Sequence, residues 1–175
     1  MKNKSRIIDK KRNINVILLF VVILSIYTFG LLAGCNFVYK DSRNMEYVQN
    51  IISVSKNNLL FFLKDIFLIL LIYKLKYSGL FSGLNICVPF IYAVQNSCIY
   101  TLQHCLKSDI FELFMLHLIK DTAIAFIIIM YSCIALNDTL KRNGNRGKDK
   151  TKVIVYICGI SLVHIINYAI NIMYK

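Results

Sequence analysis

Five stretches of the chain are apolar over lengths that matter to a bilayer, and the charged residues gather between them. No residue is charged from Asn13 to Tyr39, and none from Tyr77 to Leu106. A bilayer core about 30 Å thick takes about 20 helical residues. The pattern therefore predicts membrane helices over 16–37, 79–102, 116–136 and 153–173. A fifth segment, 59–73, is shorter and contains Lys64 and Asp65. The expected class is all-α: a polytopic integral membrane bundle of about five transmembrane helices in a single domain, 1–175. Pro89, the one proline, falls inside 79–102 and predicts a kink there.

Charge decides whether the short segment crosses. With five crossings, fourteen basic residues lie on the side of the N-terminus: six in 1–13, Lys74 and Lys76, and six in 141–152. Five lie on the other side: Lys40, Arg43, Lys56, Lys107 and Lys175. Laying 59–73 flat would leave eight inside and eleven outside. The positive-inside rule prefers five spans, N-terminus in and C-terminus out. The basic stretch 137–152, "NDTLKRNGNRGKDKTK", then forms the main cytoplasmic loop.

Composition agrees with that reading. Hydrophobic residues make up 57% of the chain and charged ones 17%, with mean hydropathy +0.58, which is too apolar for a soluble domain of 175 residues. The net charge of +12 sits at the N-terminus and in one loop, so it reads as orientation and not as a nucleic-acid surface. The bilayer is the first expected partner. Six cysteines show no C-x-x-C and no Cys/His spacing suited to zinc. Thiols inside apolar runs behave as small hydrophobes, so unpaired cysteines are expected; Cys35 and Cys105 alone fall where a disulfide could form.

Several polar residues fall inside the predicted spans. "LKDIFLILLIY" and "IKDTAIAFIIIMY" each place a Lys-Asp pair, Lys64-Asp65 and Lys120-Asp121, about a turn inside the outer end of a helix. The lysines can reach the interface, whereas the aspartates need a partner. If the two helices are neighbours, Lys64 could pair with Asp121 and Lys120 with Asp65; the alternative leaves each pair simply interfacial. Ser161, His164, Asn167, Tyr168 and Asn171 recur at spacings of three and four on the last span, and Asn85, Gln95 and Asn96 stud the third. Such groups turn inward and bond between helices. Glu112, His117 and Asp121 fit no membrane-hydrolase motif, so no catalytic residue, metal or cofactor is expected.

Gly30/Gly34 and Gly79/Gly83 both spell G-x-x-x-G, a face on which helices approach closely. The first overlaps "LAGC", which also reads as a lipoprotein cleavage box ending at Cys35. One reading keeps residues 1–34 as a helix and the other discards them, with Cys35 acylated.

Taken together, the span ending "FGLLAG", the outer amphipathic tract "EYVQNIISVSKNNLL", two closely joined spans around "KYSGLFSG", a fourth span, a basic loop and a final span resemble the stage II sporulation protein M family. That resemblance implies a multi-pass protein of the bacterial cell (inner) membrane. It implies a non-enzymatic anchor for a peptidoglycan-degrading complex during engulfment, with a wall amidase and a lytic transglycosylase as partners. The alternative is a permease-like subunit of an ABC-exporter type, with intramembrane Asp and His residues along its path.

Overall fold

The computed structural model describes residues 2–40, 46, 58–105, 111–140 and 146–173. The helices are α1 (Lys2–Lys40), α2 (Asn58–Tyr77), a 3-10 helix (Gly79–Ile86), α3 (Cys87–Cys105), α4 (Phe111–Leu140) and α5 (Arg146–Met173), so the described chain is all-helical. Three helices are long and apolar enough to cross a membrane: α1 over Val16–Lys40, α4 over Leu118–Leu140 and α5 over Asp149–Ile170. The other two are diluted. Four charged residues, Lys64, Asp65, Lys74 and Lys76, sit within the 20 residues of α2, and α3 carries Gln95, Asn96 and Ser97 at its centre.

Side-chain register gives the helix directions. Gly30 of α1 meets Phe90 and Ala93 of α3, Gly34 meets Val94 and Ser97, and Val38 packs with Cys98 and Leu102. The numbers rise together, so α1 and α3 run parallel. Tyr131 stacks against Tyr156 while Asp138 pairs with Lys152, so α4 and α5 run antiparallel. Asp65 meets His164 and Lys76 meets Asp149, which makes α2 and α5 antiparallel as well. Tyr100 of α3 meets Asp121 of α4 while Ile86, just before α3, packs on the cluster of Ile129, Cys133 and Leu136, so α3 runs antiparallel to α4; α1, α3 and α5 thus point one way, and α2 and α4 the other. Helix α4 touches every other element and sits at the centre, with 44% of its apolar stretch buried against 11% for α1 and 17% for α5. The middle of the bundle is aliphatic: Ile69 and Ile72 of α2, Ile124 and Ile128 of α4 and Ile160 of α5 are fully buried in one cluster.

The most extensive seam joins α1 to α3. A Cβ placed on Gly30 would lie 2.8 Å from the Phe90 carbonyl oxygen, and one on Gly34 would lie 2.6 Å from that of Val94 and overlap Ser97 Oγ. Only glycine lets the two backbones come this close. The second G-x-x-x-G differs. Gly79 opens the 3-10 helix, and a Cβ on Gly83 would meet nothing within 4 Å, so Gly83 faces open space and not a neighbouring helix.

Three further features depart from the sequence pattern. Residues 79–102 form a 3-10 helix followed by an α-helix, not one kinked helix. Pro89 lies in the first turn of α3, where its missing N–H costs no hydrogen bond. Helix α2 runs past Tyr73 to Tyr77, ending where Ser78 N and Oγ both donate to the Leu75 carbonyl. Helices α4 and α5 extend into the stretch read as a loop, which leaves residues 141–145 between them. Asp149 lies in the first turn of α5, where a carboxylate complements the helix dipole. Residues 47–57 of the amphipathic tract and 141–145 of the basic stretch lie outside the described residues, as do the side chains of Cys105, Glu112, His117 and Asn171.

Candidate functional site

Charged side chains collect in two layers, one near each end of the bundle. On α2 the layers are marked by Asp65 and Lys76. At about 1.5 Å of rise per residue they stand roughly 16 Å apart on α2 and about 25 Å apart on α4, measured from Asp121 to Asp138.

The Lys76 layer ties three helices together. Lys76 Nζ of α2 lies 2.7 Å from Asp149 Oδ2 of α5 and 2.9 Å from Asp138 Oδ2 of α4. Lys152 of α5 adds a second cation, 2.8 Å from Asp138 Oδ2 and 3.5 Å from Asp149 Oδ1. The Tyr77 hydroxyl donates to Asp149 as well. Two lysines meet two aspartates, so the cluster is electrically balanced. Lys76 and Asp149 are each 4% exposed at the side chain, a burial tolerable only for a fully paired group. Nothing in the sequence pattern singled out Asp138 or Asp149. The signal that could have found them is two acids isolated within a basic stretch, at the end of the bundle where Lys76 finishes its helix.

The Asp65 layer is built differently. Asp65 of α2 is buried, and its Oδ2 lies 2.9 Å from His164 Nε2 of α5, so that nitrogen carries the proton and donates it to the carboxylate. Its other oxygen, Oδ1, has no hydrogen-bond partner and lies 3.6 Å from Lys64 Nζ. Asp121 of α4 accepts a hydrogen bond from the Tyr100 hydroxyl of α3 and pairs with Lys120 at 3.2 Å. The crosswise pairs Lys64–Asp121 and Lys120–Asp65 are therefore not formed. Each lysine folds over its own neighbour, and each aspartate reaches across to a residue of another helix.

Aromatic rings draw the two lysines together. Lys64 Nζ stands 5.1 Å from the ring centres of both Phe61 and Tyr92, and Lys120 Nζ stands 5.6 Å from Phe61. Cations on a ring face are held by its quadrupole. Phe62 meets the His164 ring edge-on at 5.3 Å. Beside these groups lies a partly open cleft of about 430 Å³. Leu59, Phe61 and Phe62 of α2, Lys120 of α4 and Ser161, His164 and Tyr168 of α5 line it. Buried Asn167 also borders it, so the polar stripe foreseen on the last span converges on this cleft through four of its five members. Ser161 Oγ, however, donates to the Ile157 carbonyl of its own helix.

Of the polar residues of 79–102, Asn85 and Asn96 are buried and Gln95 is exposed; neither polar side-chain atom of Asn85 has a partner. Cys35 lies within α1 with Thr101 Oγ1 3.3 Å from its sulfur. Among the described residues no three His, Cys, Asp or Glu side chains converge in a way that could hold a metal. Compared with protein-family models, with curated proteins and with solved structures, the chain matches none.

Proposed function

We propose that the protein is a five-span helical bundle of the bacterial inner membrane, N-terminus in and C-terminus out, that acts without catalysis as an anchor for partner proteins on the outer face. The observation that carries this reading is the alternation of helix direction along the chain, with each charged layer paired within itself on either side of a packed aliphatic middle. Helices that alternate connect through loops on opposite sides, as successive crossings must. Charges paired within their own layer lock helices in place, which suits a scaffold. The α1–α3 seam through Gly30 and Gly34 makes residues 1–34 part of that scaffold, which favours retention of the first helix over cleavage before Cys35. By resemblance to the stage II sporulation protein M family, the partners are a wall amidase and a lytic transglycosylase.

One observation favours a second reading, the permease-like subunit. The Asp65–His164 pair reaches an open cleft through His164, and Asp65 Oδ1 accepts no hydrogen bond. Affinity purification from native membrane with mass spectrometry separates the two. An anchor copurifies with wall hydrolases, and Asp65→Asn leaves the set unchanged at normal protein levels. Copurification with an ATPase, and activity lost in Asp65→Asn at normal levels, would replace the anchor by the transporter.

A further inference from the structure

We infer that the cleft between α2 and α5 is a lateral binding site for an anionic phospholipid, an inference that rests on the membrane reading above. Three observations point to this occupant. The cleft is chiefly apolar, and its volume of about 430 Å³ falls in the range of small-molecule sites, roughly 300–1,000 Å³. Its rim is reachable from the side: Leu59, Ile165 and Tyr168 are each more than half exposed. Its charge is asymmetric. Lys120 lines the cleft, and Lys64 shares the Phe61 ring with it, while the carboxylates stand behind.

That asymmetry sets the chemistry of the ligand. Asp65 and Asp121 already accept hydrogen bonds from His164 and Tyr100, so neither lysine has exclusive use of its carboxylate. An ammonium has three N–H donors, and each lysine reaches one carboxylate oxygen, at 3.6 Å for Lys64 and 3.2 Å for Lys120. Two cations converging on one ring repel each other, and an anion placed between them relieves that repulsion. The lysines also sit at the depth where a phosphate lies. The layer is about 8–13 Å from the bundle midpoint, and a lysine stem carries its charge farther toward the head groups of a bilayer whose apolar half is about 15 Å thick. The acyl chain then lies along Phe61, Phe62 and Ile165, with the phosphate at Lys64 and Lys120.

The chain has no tryptophan, so a single introduced one reports on its own surroundings. Tyr168→Trp places a reporter in the cleft, and Leu32→Trp places one on the exposed face of α1, away from it. Each variant is reconstituted in vesicles containing brominated phosphatidylglycerol or brominated phosphatidylcholine, and quenching is measured. Leu32→Trp should be quenched equally by both lipids. Tyr168→Trp should be quenched at lower content of the anionic lipid, by a factor of roughly five per lysine. Adding Lys64→Gln and Lys120→Gln should abolish that preference. Ser161→Phe, which fills the cleft and leaves the charges in place, should abolish it too. Equal quenching of Tyr168→Trp by both lipids, or a preference that survives Ser161→Phe with helicity intact, would overturn the site while leaving the membrane reading untouched. Absence of quenching in Leu32→Trp would take down both.

Discussion

The two charged layers use the same residue types to opposite ends. In the Lys76 layer every cation is matched by an anion from a different helix, and Lys76 and Lys152 each contact both Asp138 and Asp149. In the Asp65 layer the lysines pair with sequence neighbours on their own helices, and His164 and Tyr100 make the links between helices. The first arrangement fastens α2, α4 and α5 at one point. The second leaves Lys120 lining a cleft, with Lys64 over the same Phe61 ring. Partner choice, and not charge content, separates a structural clasp from a surface able to receive a ligand.

The comparison predicts unequal costs. Lys76→Met removes the buried cation that Asp138 and buried Asp149 share, leaving them Lys152 and the Tyr77 hydroxyl, and should destabilise the bundle by about 3–5 kcal/mol, the usual cost of breaking a buried pair from one side. Thermal unfolding in detergent checks this, and the exchange Lys76→Asp with Asp149→Lys should recover part of the loss. Next come the glycines of the seam between the layers. Gly34→Ala drives a methyl group against the Val94 carbonyl and Ser97, at a cost of about 1–3 kcal/mol, whereas Gly83→Ala, facing open space, should change stability by less than about 0.5 kcal/mol. Asp65→Asn keeps the shape and a hydrogen-bond acceptor for His164, so its cost should be about 1 kcal/mol, well below that of Lys76→Met. If Asp65→Asn proved as damaging as Lys76→Met, the contrast between the layers would collapse.

Much of this architecture is legible in the chain. Long stretches of high hydropathy mark α1, α4 and α5, because apolar length is a local property. The glycines at 30 and 34 announce a seam, but the same spacing at 79 and 83 falls in a 3-10 helix where Gly83 faces open space, since a motif does not reveal what lies opposite it. The Lys-Asp dipeptides at 64–65 and 120–121 stand inside apolar segments, yet the sequence does not show their partners. His164 and Asp65 are 99 residues apart, and only the antiparallel register of α2 and α5 joins them. Likewise Asp138 and Asp149 look like members of a solvated basic loop until Lys76 arrives from another helix. Long-range pairing of this kind has no local signature.

The central claim is that α2, despite its four charged residues, crosses the membrane and carries its two layers to opposite faces. Accessibility of single cysteines tests it most directly. In a background with the native cysteines replaced, Ser55→Cys and Ser78→Cys flank the helix on either side. On intact cells an impermeant maleimide should label Ser55→Cys at once, and Ser78→Cys only after the membrane is permeabilised. Labelling of both from the same side would contradict the five-span account.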